Sequence, residues 1–170
     1  FFLSATAIEP KAQSACSIQA DFGRSLATFE EARLLESYDS FPFADWQGAT
    51  WPPNVVHKKW WLAVGGYSDE FSPGMSSDDD FAMKMWQAGC RTYKGVAASR
   101  VYHFISKSTG RITRNDGRKQ FMQKWGIKQS AFHKYYIHRG SPYMGKRTPP
   151  TAWRNLISKI EAQISLAIGK

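Results

Sequence analysis

The chain has 170 residues, 42% of them hydrophobic and 15% aromatic, and a formal net charge of +9. That is enough apolar surface for one folded domain, while no apolar run approaches the roughly 20 residues of a membrane-spanning helix. Cys16 and Cys90 stand far apart and outside any CxxC pattern, which excludes a disulfide framework and a zinc signature and makes a reducing, cytoplasmic setting the default. A basic surface meets anions, whether nucleic acid, anionic lipid or phosphate-bearing small molecules, or it is simply a solvated face.

In chain order, "FFLSATAI" is apolar and β-prone until Pro10 stops it; it reads as a strand entered midway in a longer protein. Residues 26–38 place Phe29, Leu34 and Leu35 at helical spacing between charges. Residues 39–53 are rich in aromatics, Gly and Pro and predict a loop. Residues 54–57 predict a short strand, and 58–64 a short helix closed by Gly65 or Gly66. After the polar loop "SDEFSPGMSS", the spacing of Phe81, Met85 and Ala88 predicts a helix over 79–88, with Gly89 as its stop. "RTYKGVAASRVYHF" reads as β structure, "ISKSTGRITRNDG" as a basic loop, and "RKQFMQKWG" and "SAFHKYYIHRG" as two short helices each ended by Gly. Beyond a Pro-Pro break, Trp153, Leu156, Ile157, Ile160, Ile164 and Ile168 share one face of a C-terminal helix, whose plain reading is packing against the domain or a second copy.

Asp78, Asp79 and Asp80 stand side by side at the start of the 79–88 helix. Three adjacent carboxylates repel one another, so something must hold them. One Asp at a helix start is explained by the free backbone N–H groups and the helix dipole. That accounts for one carboxylate and not for three.

Two motifs at this spacing, "GGYSDEF" at 65–71 and "SDDDFAMKMWQAG" at 77–89, resemble the family 2-like glycosyltransferases of the GT-A fold. The resemblance covers about residues 50–125 and extends more weakly to "SATAIEP" and "DFG" near the start. It implies an α/β fold, the C-terminal, acceptor-side half of a GT-A-like nucleotide-diphospho-sugar transferase domain, with a short mixed sheet and flanking helices. Residues 1–150 would form that portion, without its N-terminal nucleotide-binding half, and residues 151–170 the C-terminal amphipathic helix.

In that family a carboxylate of the second motif is the general base that takes the proton of the acceptor hydroxyl. The match puts it at Asp78 or Asp79, the choice left open because Ser77 stands where the family has Glu. Asp80 then orients the acceptor or supports the loop, with Trp51, Gly65 and Gly66 as further substrate contacts. His103, after the β segment, is similar in position to a metal-binding His of many GT-A enzymes and would help hold Mn²⁺ or Mg²⁺ on the donor diphosphate. Lys107 and Arg111, with Arg114, are candidates to hold the diphosphate. "QFMQKWG" is similar to the Q-x-x-R-W element of processive synthases but does not match it, so processivity is not inferred. The family's donor-side DxD follows a buried strand. Asp78-Asp79-Asp80 follows a polar loop, so it reads as the acceptor-side motif.

The implied partners are a nucleotide-sugar donor and a hydroxyl-bearing acceptor, with no nucleic acid. The C-terminal helix allows a homo-oligomer or a peripheral place on a membrane surface. The competing readings are a non-catalytic binding module for an anionic polymer, built on "FHKYYIHRGSPYMGKR", and a scaffold element using the C-terminal helix. Neither gives the aspartates a role.

Overall fold

The computed structural model describes residues 1–12, 14–73, 75–105 and 115–169. It is a mixed α/β structure with a five-stranded mixed sheet and flanking helices.

Strand β1 (Phe2–Glu9) is the centre of the sheet and is buried at nearly every position. Its apolar run, without alternation, is the pattern of a strand covered on both faces. β5 (Tyr93–Tyr102) runs parallel to it along one edge. The other edge is shared: β4 (Asn54–Val56) pairs antiparallel with Phe2 to Ser4, and β2 (Ser17–Gln19) pairs parallel with Ala7 to Glu9. β3 (Trp46–Gln47) lies antiparallel on the outside of β5.

The β1–β5 register jumps between Ala5 and Thr6, whose partners are Val96 and Arg100. The extra residues of this bulge are held: the Ala97 N–H donates to the Asp45 carboxylate at 2.9 Å and the Thr6 hydroxyl to the Val96 carbonyl at 2.9 Å. The indole N–H of Trp46 in turn donates to the Thr6 hydroxyl at 3.0 Å.

Helix α1 (Glu31–Ser37) is shorter than the periodicity of residues 26–38 predicts. Leu26–Thr28 forms a separate 3₁₀ turn, Phe29 is extended, and the Glu30 N–H goes to the Phe22 carbonyl at 2.8 Å. The pull toward Phe22 has a packing reason. Phe29 joins Ile8, Ile18, Phe22 and Tyr102 in the smaller of two apolar clusters.

Helix α2 (Lys58–Val64) ends at Gly65, as the sequence predicts, in the left-handed conformation. Helix α3 (Ser77–Gln87) covers the larger cluster, with the Phe81 ring 5.8 Å from Phe2 and the Tyr93 hydroxyl donating to the Ala82 carbonyl at 2.9 Å. Helix α4 (Gly117–Trp125) is capped by Gly126. The short α5 (Gln129–Ala131) runs directly into a π turn over Phe132–Ile137, which ends not at a glycine but at His138, at φ 52°.

Helix α6 (Ala152–Ala167) packs against α4 in an unexpected orientation. Its buried residues are Ser158, Ala162 and Ser165, while Trp153, Leu156, Ile160, Ile164 and Ile168 are each between 46% and 67% exposed. The apolar stripe, expected to pack on the domain or on a second copy, faces away from the domain apart from the half-buried Ile157. Small side chains let the helix sit close, and the Tyr136 hydroxyl donates to Asn155 Oδ1 at 2.8 Å across the contact. Among the described residues no helix is long and apolar enough to cross a membrane.

Candidate functional site

The aspartates occupy the first turn of α3, and a tight turn upstream reaches them. Gly65 and Gly66 both have positive φ, at 70° and 64°, and a Cβ on Gly66 would stand 2.6 Å from the Trp61 ring. Only glycine makes this turn without strain. It delivers Tyr67 and Ser68 to α3. The Tyr67 ring packs 4.8 Å from Phe81, its hydroxyl donates to Asp78 Oδ1 at 3.3 Å, and Ser68 Oγ donates to Asp80 Oδ2 at 2.7 Å. The two sequence motifs are thus bonded to one another, with "YS" of the first holding the carboxylates of the second.

The three carboxylates have different surroundings. Asp80 is 0% exposed. Besides Ser68 it accepts from the Trp125 indole N–H at 2.8 Å and pairs with the Lys124 ammonium at 2.9 Å, which also pairs with Glu70. A buried charge with this many donors is structurally committed. Asp80 therefore supports the loop and has no open face toward an acceptor.

Asp79, 5% exposed, accepts from His133 Nε2 at 2.8 Å and from the Gln129 side-chain amide, with the Arg139 guanidinium 3.7 Å away. Burial works to raise its pKa, but the His133 hydrogen bond and charge, with Arg139 and Gln129, outweigh it, so the pKa lies below the usual carboxylate value.

Asp78 is only partly buried. Desolvation first, and then the charge of Asp79, push its pKa up to about 6, against the opposing effects of Tyr67 and Arg139. Two adjacent carboxylates are driven apart by their surroundings, one held ionised and the other brought close to neutral pH.

Asp78 and Asp79 line a cleft of about 370 Å³ with Ser76, Asn115, Asp116 and Arg118. Its far wall is fixed by the approach of α4. Asn115 Oδ1 accepts from the Met75 N–H at 3.2 Å, and a Cβ on Gly117 would lie 2.1 Å from the Met75 carbonyl oxygen.

The other residues singled out in the sequence lie elsewhere. Gly65 and Gly66 shape the turn and do not line the cleft. Trp51 packs on Trp46 at 4.9 Å and carries the Arg139 guanidinium 4.4 Å above its ring. It reaches the aspartates through Arg139 and does not line the cleft. His103 sits at the end of β1, where its Nδ1 is 2.8 Å from Glu9 Oε1 and its backbone N–H donates to the Ile8 carbonyl. It is grouped with Glu9 and not with Asp78. Among the described residues, no set of three or more His, Cys, Asp or Glu side chains is placed to hold a metal ion, so a Mn²⁺ or Mg²⁺ ion at His103 would need ligands from outside them. Lys107, Arg111 and Arg114 lie outside the described residues.

Tyr67, Ser68, Lys124, Trp125, Gln129, His133 and Arg139 were not singled out in the sequence, although they determine how the carboxylates behave. One signal was available: Gln129 and His133 stand four apart, on one side of a helical turn, as polar residues among buried neighbours.

No protein-family model matches the chain, and neither a curated protein nor a solved structure matches it.

Proposed function

We propose that this chain is the acceptor-side half of a GT-A-like glycosyltransferase and that Asp78 is its general base. In this reading Asp78 removes the proton from an acceptor hydroxyl bound in the cleft. The hydroxyl oxygen attacks the anomeric carbon of a nucleotide-sugar, and the nucleoside diphosphate leaves from the opposite face with inversion. The observation that carries the proposal is the contrast within the acidic run. Asp78, alone of the three, lies partly open on a cleft, with its pKa pushed up to about 6. A base with a pKa near the working pH combines a useful ionised fraction with enough basicity to accept a proton. Asp79, held ionised by His133 and Arg139, is the fixed charge that helps raise it, which favours Asp78 over Asp79 as the base. Tyr67 and Asn54, linked at 3.2 Å, orient Asp78 from the side of the sheet.

Among the described residues no group of three or more His, Cys, Asp or Glu is placed to hold Mn²⁺ or Mg²⁺, so a metal on the donor diphosphate would draw its ligands from the rest of the enzyme. The test is a transfer assay on an enzyme that contains this half, with nucleotide-sugar, acceptor and a divalent ion supplied. Asp78→Asn is expected to lower kcat by about a hundredfold or more, the scale for losing a general base, with donor affinity nearly unchanged. A variant that keeps most of its kcat, or whose loss lies in donor affinity, rules out this role for Asp78.

A further inference from the structure

A second cavity, of about 520 Å³, opens beside the π turn, between the approach to β2 and residues 130–141. Lys134, Arg139, His133 and His138 line it together with the hydroxyl-bearing Ser14 and Ser130, and with Ser141, whose hydroxyl already donates to the His138 carbonyl at 2.8 Å. No Asp or Glu is among its lining residues. Behind it stands Asp79, bonded to His133 and 3.7 Å from Arg139. On the other side the Arg147 guanidinium lies 2.7 Å from His138 Nε2. Burial first, and then the charges of Arg147 and Arg154, lower the His138 pKa, so the ring accepts that hydrogen bond as a neutral imidazole. Two carboxylates, Asp79 and beyond it Asp78, are thus set against Lys134, Arg139, Arg147 and Arg154.

Gathering like charges costs free energy, and two further features add to the cost. Arg147 Nε is buried with no hydrogen-bond partner, and an unsatisfied buried donor is rare in a settled structure. The backbone that presents these groups is itself irregular: a π turn over Phe132–Ile137, then His138 at a positive φ of 52°. Such geometry concentrates where a binding surface is being shaped.

We infer that this cavity is an oxyanion site that takes a phosphate group. Phosphate matches the donors present, because a guanidinium fork, an ammonium and two hydroxyls can be satisfied together by its several acceptor oxygens. The volume leaves room for an organic group attached to the phosphate. Binding neutralises the excess positive charge that Asp78 and Asp79 do not balance. The inference does not rest on the transferase reading, since the site binds the same chemistry in a protein that transfers nothing.

Calorimetric titration of the 170-residue chain with pyrophosphate at low ionic strength tests it. Saturable binding to one site is expected, weakened about tenfold by Lys134→Gln, which removes an exposed cation at the mouth without touching the core. Lys159→Gln, on α6 and away from the cavity, makes the same change in net charge and is expected to leave the affinity unchanged. No saturable binding at millimolar pyrophosphate overturns the proposal. So does unaltered binding by Lys134→Gln, or an equal loss in Lys159→Gln, which would mark only the diffuse field of a chain of charge +9. Titrations with inorganic phosphate and with uridine diphosphate then identify the source. Tighter binding of the nucleotide shows that the attached group is held too, and equal binding shows that the phosphate alone is recognised.

Discussion

Helix α3 buries two aspartates, while α6 leaves a row of isoleucines in water. Both have amphipathic sequences, and periodicity alone would turn the apolar face of each inward. In α3 it does, since Phe81, Met85 and Trp86 are buried, but Asp79 and Asp80 are drawn in with them. Partners make the difference. Ser68, Lys124 and Trp125 converge on Asp80, and Gln129, His133 and Arg139 on Asp79, so that each buried charge is paired and hydrogen-bonded. In α6 the buried residues are Ser158, Ala162 and Ser165, and Ser158 bonds back to the Arg154 carbonyl at 2.8 Å. Close approach and the Asn155–Tyr136 bond seat that helix, not apolar area. A helix buries the face that its neighbours are shaped to receive, and hydrophobicity is one way among several to match them.

The largest effect that would break this comparison is at Asp80. Asp80→Ala removes the acceptor for Ser68 and Trp125 and leaves the Lys124 ammonium with Glu70 alone. A loss of about 3–5 kcal/mol in unfolding free energy is expected, the scale for breaking a buried pair on one side. Urea unfolding at neutral pH measures it. A loss below about 1 kcal/mol would mean that the buried carboxylate is not what seats α3.

Next comes Asp78, with the opposite sign. Its pKa is near 3.9 in the unfolded chain and about 6 in the fold. Below about pH 3 the group is neutral in both states and costs nothing. As pH rises through 6 it becomes charged in the fold at a penalty, and stability is lost. Asp78→Asn should therefore be more stable than the parent at pH 8, by about 2 kcal/mol, with the advantage gone by about pH 3. Asp79 runs the other way: its depressed pKa stabilises the fold above pH 4, and that contribution is lost on acidification through its folded pKa. Thermal unfolding of both Asn variants between pH 2 and 8 reads the two signs. Parallel pH profiles would mean that the neighbours are not held in different charge environments.

These contrasts mark how far the sequence could be read. Strand β1, helix α2 with its Gly65 cap, the α3 start at the aspartates and the α4 stop at Gly126 follow from local pattern, because caps, turns and apolar runs act over a few residues. The partners of the acidic run were not legible, since Gln129 and His133 lie 50 and 54 positions from Asp79 and nothing local links them. The late start of α1, at Glu31 within the helical pattern of residues 26–38, was not legible for a similar reason, the Glu30–Phe22 bond that only tertiary packing creates. In α6 the periodicity identified which residues share a face. It carried no information about which face meets α4.

The smallest expected effect tests that last point. Ile160 is 46% exposed on the outer face of α6, and Ala162, two positions on, is 0% exposed on the inner face. If the outer stripe stands in water, Ile160→Glu changes stability by no more than about 0.5 kcal/mol, as surface substitutions usually do. Ala162→Leu adds three carbon atoms where α6 rests on α4 and should cost about 1–3 kcal/mol through overpacking. The reverse order, with Ile160→Glu the more damaging, would mean that the stripe is covered in solution. A midpoint that rises with protein concentration in the parent and not in Ile160→Glu would identify the cover as a second copy, because only association makes unfolding depend on concentration. The opposite faces of α3 and α6 would then follow one rule, with the partner of α6 on another molecule.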